Sequence, residues 1–129
     1  MNREIKFRAW DNENKYMVTS KQGVFTALRN SMNIVRQDDG YYNDGDLLKP
    51  NKEKYTLMQF TGMFDKNGKE IYEGDIVKYE NMTGKIMFLN GSFIMSNFEE
   101  TEEWELGVIN AEIEVIGNEY DNPELLGGE

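Results

Sequence analysis

From residue 71 onward, short apolar runs alternate with turn-forming residues at close intervals. Such spacing is typical of the strands of small antiparallel β-folds, which are about five residues long. Asn90-Gly91 lies between two of the runs, and Asn-Gly in this position is a strong signal of a β-hairpin. The pattern predicts a small antiparallel barrel or sandwich. The predicted strands are Ile76–Tyr79, Lys85–Leu89, Ser92–Ser96, Leu106–Ile109 and Glu112–Ile116. If they close into a barrel, Ile76, Ile86, Phe88 and Val115 should be deeply buried in its core.

The first half of the chain predicts a mixed structure. Residues 4–10 alternate in polarity and predict a half-buried strand, with Lys15–Thr19 as its hairpin partner. Residues 23–37 have apolar side chains at spacings of three and four, which predict a helix, and residues 38–54 predict a loop. The expected buried face of the strand consists of Ile5, Phe7 and Ala9, and that of the helix of Phe25, Leu28, Met32 and Val35.

Two acidic turns connect the halves. Tyr55–Thr61 and Lys69–Tyr72 predict a hairpin in which Gly68 takes a positive φ. The run Asp65–Glu70 also has oxygen-bearing side chains at alternate positions, as in part of a calcium loop, but the turn explains all of its residues. Glu73-Gly74-Asp75 could present a catalytic carboxylate pair, yet a glycine before a strand favours a tight turn.

The composition narrows the possible functions. The chain contains no cysteine and no histidine, which excludes disulfides, thiolate nucleophiles, imidazole bases and zinc sites built on these residues. We therefore expect a protein that is not an enzyme and has no cofactor or metal. No apolar stretch is long enough to span a bilayer or to serve as a signal peptide, so we expect no membrane association and a cytoplasmic location.

Charge is distributed unevenly. Residues 1–54 contain ten Lys or Arg and eight Asp or Glu, a net charge of +2. Residues 55–129 contain four Lys and sixteen Asp or Glu, a net charge of −12, and the two segments sum to −10. This distribution predicts two electrostatic faces and opposes phosphate-backbone binding by the second half.

One stretch concentrates the negative charge around aromatic residues. Charge runs are usually solvated, so a hairpin loop is one interpretation. The other is an interaction surface for a basic protein partner, because an aromatic residue within a charged rim resembles an interface hot spot. The candidate surface consists of Phe98, Glu99, Glu100, Glu102, Glu103, Trp104 and Glu105.

An alternative function concerns the N-terminal half, where aromatic and basic residues are interleaved. Such a combination can stack on single-stranded nucleic acid, although aromatic residues more often pack in the core. The overall negative charge disfavours this alternative. The residues in question are Arg3, Lys6, Arg8, Trp10, Tyr16, Tyr41, Tyr42 and Tyr55.

Several stretches, in order along the chain, resemble the YopX family of phage and prophage proteins. The long central one, DKNGKEIYEGDIV, makes the resemblance specific. Residues 20–54 and 97–107 lack the family pattern and resemble variable insertions. The matching stretches are Ile5–Asp11, Leu57–Gly62, Asp65–Val77, Glu114–Asn118 and Asn122–Leu126.

This resemblance implies an α+β, mostly β fold and a phage-derived protein of a Gram-positive host. An irregular N-terminal α+β part, residues 1–70 with a variable loop at 38–54, would precede a small antiparallel SH3-like β-barrel with a C-terminal tail, residues 71–129. The resemblance supplies no activity and no catalytic residue. Together with the charge pattern, we expect a protein-interaction module that acts through an acidic barrel surface, with a homo-oligomer as an alternative assembly.

Overall fold

The computed structural model describes residues 4–30, 32–33, 49–50 and 54–127. In this part of the chain the fold is mostly antiparallel β with few, short helices. The chain divides into two compact units, which we call the N-terminal unit (Phe7–Leu57) and the C-terminal unit (Met1–Lys6 with Met58–Glu129). The sequence-based division after residue 70 stays a prediction. Within the described ranges, no helix has the length and apolar character needed to cross a membrane.

The N-terminal unit contains a hairpin, a helix and the start of a long strand. A turn organised by Asp11 joins the first two strands, because Asp11 Oδ1 accepts hydrogen bonds from the backbone N–H groups of Glu13 and Asn14, both at 2.9 Å. The elements are β1 (Phe7–Asp11), β2 (Tyr16–Val18), α1 (Lys21–Asn30), β3 (Met32–Asn33), β4 (Lys49–Pro50) and the first residues of β5 (Tyr55–Phe64). Strand β1 pairs with β2, and β3 pairs with β4, both antiparallel.

The predicted hairpin is present, but its burial differs from the expectation. Ile5 is 68% and Phe7 38% exposed, whereas Arg8 and Trp10 are buried together with Ala9. The prediction of a half-buried strand with Ile5 and Phe7 inside was therefore wrong. Polarity alternation identifies side chains that share a face, but β1 is buried on both faces from its second residue onward, partly because α1 packs against it.

Helix α1 begins earlier and ends earlier than predicted. Ser20 precedes it and caps it, since Ser20 Oγ accepts the Gly23 N–H at 3.0 Å. The predicted inward residue Phe25 is 63% exposed, and the buried positions are Val24 and Ala27, three residues apart. The cap places the helix start at Lys21, and among the described side chains of the helix the buried ones, Val24 and Ala27, are small. The predictions for the Leu28, Met32 and Val35 side chains, and for most of the 38–54 loop, lie outside the described residues.

The C-terminal unit is built on a five-stranded antiparallel sheet that curls into a half-barrel. Strand β5 continues into this unit at Met58 and pairs with β6. The five strands have the order β10-β9-β8-β7-β11. The elements are β6 (Glu70–Tyr72), β7 (Asp75–Tyr79), β8 (Met82–Leu89), β9 (Ser92–Asn97), β10 (Glu103–Glu105), α2 (Leu106–Ile109), β11 (Glu114–Asn118) and the 3-10 helices Asn110–Glu112 and Pro123–Gly127.

Turn chemistry confirms the predicted hairpins. Between β8 and β9, Asn90 and Gly91 have φ of 54° and 84°, the two positive values that a type I′ turn requires. Gly68 has φ of +82° in the turn between β5 and β6, as the sequence predicts. Local residue preferences therefore determine these two reversals.

The core of this unit contains most of the residues expected there, with one exception. Ile76, Ile86 and Val115 are buried, whereas Phe88 is 49% exposed. The prediction that Phe88 is deeply buried was wrong, because Phe88 lies near the end of the β8–β9 hairpin. Its ring packs against that of Phe93, with centroids 4.9 Å apart. The main cluster consists of Ile71, Val77, Ile86, Phe93, Met95, Leu106, Ile109, Ile113 and Val115.

A second correction concerns residues 103–109. The sequence predicts a strand at Leu106–Ile109, but these residues form α2, and the strand lies just before them as β10. Leu106 and Ile109 are buried while Val108 is 75% exposed, a spacing of three that suits one helical turn. An alternating strand would have placed Leu106 and Ile109 on opposite faces.

Candidate interaction surface

The predicted acidic residues lie together at one end of the sheet. We call residues Phe98–Glu105 the acidic tract. The chain leaves β9 at Asn97, turns through residues 98–102 and returns as β10, which forms the end of the strand order. Strand β10 pairs antiparallel with β9, with Trp104 opposite Met95. The tract is thus a turn followed by an edge strand.

Asn97 holds the turn in one conformation. Its Oδ1 accepts hydrogen bonds from the backbone N–H groups of Thr101 at 2.9 Å and Glu102 at 3.0 Å, and its Nδ2 donates to Thr101 Oγ1 at 2.9 Å. The Asn97 carbonyl accepts the Glu100 N–H at 2.9 Å. These bonds hold the backbone N–H groups of Glu100, Thr101 and Glu102 without using any glutamate side chain. The carboxylates are therefore displayed from a defined loop.

Trp104 attaches the acidic tract to the core. Its ring is half-buried, packs against the core cluster and meets the Tyr79 ring edge-on, with centroids 5.8 Å apart and planes at 74°. Glu103 and Glu105 on either side of it are exposed, as strand alternation requires. Trp104 thus faces the core, while its two neighbours face solvent.

Burial and nearby charge change the pKa of Tyr79, whose ring contacts Trp104. Burial raises the pKa of the Tyr79 hydroxyl, and the negative charges of Glu112 and Glu80 raise it further. The Tyr79 hydroxyl therefore stays protonated at neutral pH, and the Tyr79–Trp104 contact involves an uncharged ring.

Phe98 and Glu100 belong to a different part of the surface. Together with residues of β8 and β9 they line a shallow depression of about 120 Å³. Its one cationic side chain, Lys85, forms an ion pair with Glu119 at 3.5 Å. Glu102, Glu103, Trp104 and Glu105 do not line it. The depression is lined by Lys85, Met87, Ser96, Asn97, Phe98, Glu100 and Leu126.

Both acidic turns use their carboxylates in the fold. Asp65 is buried, and its oxygens accept the backbone N–H groups of Asn67 and Lys69 at 2.8 Å and of Val115 at 2.9 Å. Burial opposes ionisation, but the hydrogen bonds from Val115, Lys69 and Asn67 outweigh it and hold the pKa of Asp65 below its usual value. The turn interpretation of Asp65–Glu70 agrees with this geometry.

The Glu73-Gly74-Asp75 segment is also a turn. Glu73 Oε1 accepts the Gln59 N–H and Asp75 Oδ2 accepts the Tyr72 N–H, both at 2.8 Å. Gly74 has φ of 85°. Across the described ranges, no group of three acidic side chains converges in a way that could hold a metal ion.

Among the basic and aromatic residues of the first half that the structure describes, exposure is uneven. Arg8 and Trp10 are buried, while Tyr16 is 52% exposed and Tyr55 is half-buried. Lys6 forms an ion pair with Glu70, and its ammonium group lies 5.0 Å from the centroid of a phenylalanine ring. The remaining residues of this set, Arg3, Tyr41 and Tyr42, lie outside the described residues.

Two residues with structural roles at these sites were not identified from the sequence. Asn97 organises the acidic turn, and Asp65 joins a turn to β11. An asparagine at the end of a strand, four residues before a threonine, is a recognisable signal for the first. No local signal predicts the second, because Val115 is fifty residues away.

Comparisons with known proteins agree with the sequence resemblance. The model of the YopX protein family matches residues 6–127. The crystal structure of protein EF1440 from Enterococcus faecalis is 25% identical, with a TM-score of 0.58, and the match covers 97% of this chain and 99% of that chain. The crystal structure of protein yopX from Bacillus subtilis is 27% identical, with a TM-score of 0.52 and coverage of 93% and 94%. No match was found among the curated proteins.

Proposed function

Because this chain belongs to the YopX family, we propose that it is a non-enzymatic protein-interaction module that binds a basic partner through the acidic tract. The observation that carries the proposal is the exposure of Glu103 and Glu105 on an edge strand whose position Trp104 and Asn97 maintain. A surface held in advance loses little conformational entropy on binding, which favours recognition.

The negative charge of the second half of the chain supports a basic partner. Residues 55–129 carry a net charge of −12, from four Lys and sixteen Asp or Glu. A negative field of this kind attracts cationic surfaces and repels nucleic-acid phosphates. The nucleic-acid alternative lacks support from the side-chain positions, because Arg8 and Trp10 are buried and cannot contribute to a stacking platform.

The strand order supports the finer description of the fold as an SH3-like barrel. Strand β11 lies beside β7, the first strand of the five, and residues 106–112 form short helical turns just before it. This is the arrangement expected of an SH3-like barrel. A phage or prophage origin and action in the bacterial cytoplasm belong to the same proposal and are supported by the family resemblance.

The test is capture of a basic protein from a bacterial host lysate by the purified chain. We compare it with a variant in which Glu99, Glu100, Glu102 and Glu103 are replaced by Gln. The unmodified protein should retain a basic partner, added salt should weaken retention, and the variant should lose it. The matched control has the same net charge, because Gln replaces four exposed glutamates elsewhere: Glu13, Glu80, Glu112 and Glu124. Equal capture by both variants contradicts the proposal.

A further inference from the structure

The hydrogen-bond register shows which backbone groups of β10 face away from the sheet. The Asn97 N–H donates to the Glu102 carbonyl at 3.2 Å, so these two residues form a hydrogen-bonded pair. Such pairs alternate with non-hydrogen-bonded pairs along an antiparallel ladder. In the observed register, Trp104 opposite Met95 is the next hydrogen-bonded pair. The backbone groups of Glu103 and Glu105 therefore point away from β9.

This outer edge has a small, defined set of hydrogen-bonding groups. Glu103 presents its N–H and its carbonyl, and Glu105 presents its N–H. The Glu105 carbonyl is used differently, because Glu105 is the N-cap of α2, where that carbonyl accepts the first helical hydrogen bond. Within the described residues, β9 is the only strand paired with β10, and the Glu103 and Glu105 side chains are exposed. An open strand edge is a template for another extended chain.

The side chains on this edge select against a second copy of the same chain. An antiparallel β10–β10 pair centred on Trp104 would place Glu103 of one copy opposite Glu105 of the other. Like charges directly opposite each other in a sheet are destabilising, whereas opposite charges are favourable. The edge is therefore complementary to a strand with basic residues at these positions.

We propose that an extended segment of the partner protein adds to the sheet along the outer edge of β10, with Lys or Arg opposite Glu103 and Glu105. The residue between the two basic ones lies on the face of Trp104, whose ring is half-buried, so an apolar side chain suits it. The partner motif is thus basic–apolar–basic. This inference rests on the proposed function and specifies its geometry.

The experiment uses the full chain and two synthetic peptides of identical composition. One has a central Lys-Val-Arg, and the other has the permuted sequence Lys-Arg-Val, which keeps the charge but breaks the alternation. Calorimetric titration should show tighter binding of the alternating peptide by about tenfold, or about 1.4 kcal/mol, because the permuted peptide loses both one opposite-charge pair and the apolar side chain on the Trp104 face. On binding, the amide protons of Glu103 and Glu105 should become protected from hydrogen exchange.

Two variants distinguish the contribution of backbone hydrogen bonding to peptide binding from the contribution of charge. Glu103→Gln removes the carboxylate only, whereas Glu103→Pro also removes the outward N–H and leaves the ladder to β9 intact, a position where edge strands tolerate proline. We expect Glu103→Pro to weaken binding about five- to tenfold more than Glu103→Gln, as the loss of one hydrogen bond predicts. The matched charge control is Glu13→Gln, at an exposed position of the N-terminal unit, which should bind as the unmodified protein does.

Each outcome is decisive for one of the two proposals. If the Pro and Gln variants bind equally and both peptides bind alike, strand addition is overturned while the acidic surface still functions. If Glu103→Gln and the fourfold Gln variant both bind normally, the proposed function fails as well. Concentration-dependent dimerisation through β10 would show that a second copy of this chain, and not a partner segment, pairs with the edge strand. If Glu103→Pro does not fold, amide protection in the unmodified protein decides the question.

Discussion

Asp65 joins segments that are far apart in the sequence. Its buried carboxylate accepts three backbone N–H groups, two from its own turn and one from Val115 on β11. A neutral amide of the same shape offers one acceptor oxygen instead of two and would place an NH₂ group against an N–H donor. A single side chain thus fixes both a turn and the position of the last strand.

The first prediction concerns the substitution Asp65→Asn. It should lower the free energy of unfolding by about 1–3 kcal/mol, because at least one buried N–H loses its acceptor. Denaturant unfolding of both proteins measures the difference. The control is Asp121→Asn, an exposed position, which should change the stability by less than about 0.5 kcal/mol. Equal effects at the two positions would contradict a structural role for Asp65.

The second prediction concerns pH, since the pKa of Asp65 is lowered in the folded chain. A carboxyl group of this kind stabilises the fold fully above its unfolded pKa, near 3.8, and the stabilisation is lost as the pH falls through the folded pKa. The stability of the unmodified protein should therefore decrease on acidification below about pH 4, and Asp65→Asn should decrease less steeply. Parallel stability curves between the two proteins would contradict the prediction.

At the scale of elements, the hairpins depend on residues that accept a positive φ. A Cβ added at Gly68 would meet no atom within 4 Å, so any penalty for substitution there comes from the backbone conformation alone. Gly84 in β8 presents the opposite case, because its Cβ would lie 2.5 Å from the Ser96 carbonyl oxygen of β9. One glycine serves a turn and the other serves close strand contact.

The third prediction compares two substitutions at Gly68. Gly68→Asn should cost little, because asparagine tolerates the left-handed region, whereas Gly68→Val should cost about 1–2 kcal/mol or more. Thermal unfolding of the two variants measures the difference. Matching melting temperatures for Gly68→Val and the unmodified protein would show that the turn conformation is not required.

At the scale of the whole molecule, negative charge opposes compactness. The chain has a net charge of −10, and five of its carboxylates lie inside the acidic tract, in the seven residues from Glu99 to Glu105. Repulsion between like charges on a folded surface lowers stability and is screened by salt. The hydrogen bonds to Asn97 hold the turn without any of these carboxylates, so we expect the carboxylates to be dispensable for the fold.

The fourth prediction follows for the variant with Gln at positions 99, 100, 102 and 103. Its melting temperature at low salt should equal or exceed that of the unmodified protein, and added salt should narrow the difference. The control with Gln at positions 13, 80, 112 and 124 has the same net charge and separates local crowding from total charge. A lower melting temperature for the first variant alone would show that these glutamates support the fold.

The sequence by itself was sufficient for features that depend on local backbone preferences. Asn90-Gly91 and Gly68 identified their turns, because few residues accept a positive φ, and most strands of the C-terminal unit followed from short apolar runs between turns. The density of glutamates also identified the acidic tract. These features depend on neighbours in the sequence, so the sequence contains their cause.

Only the tertiary structure decided the features that depend on contacts with residues far away in the sequence. Strand β10 exists because it pairs with β9, and the register of that pairing directs Trp104 toward the core and the Glu103 and Glu105 backbone outward. Phe88 shares a face with Ile86 but lies where that face is no longer covered. Periodicity shows which side chains point the same way. Whether anything covers them is determined by elements from elsewhere in the chain.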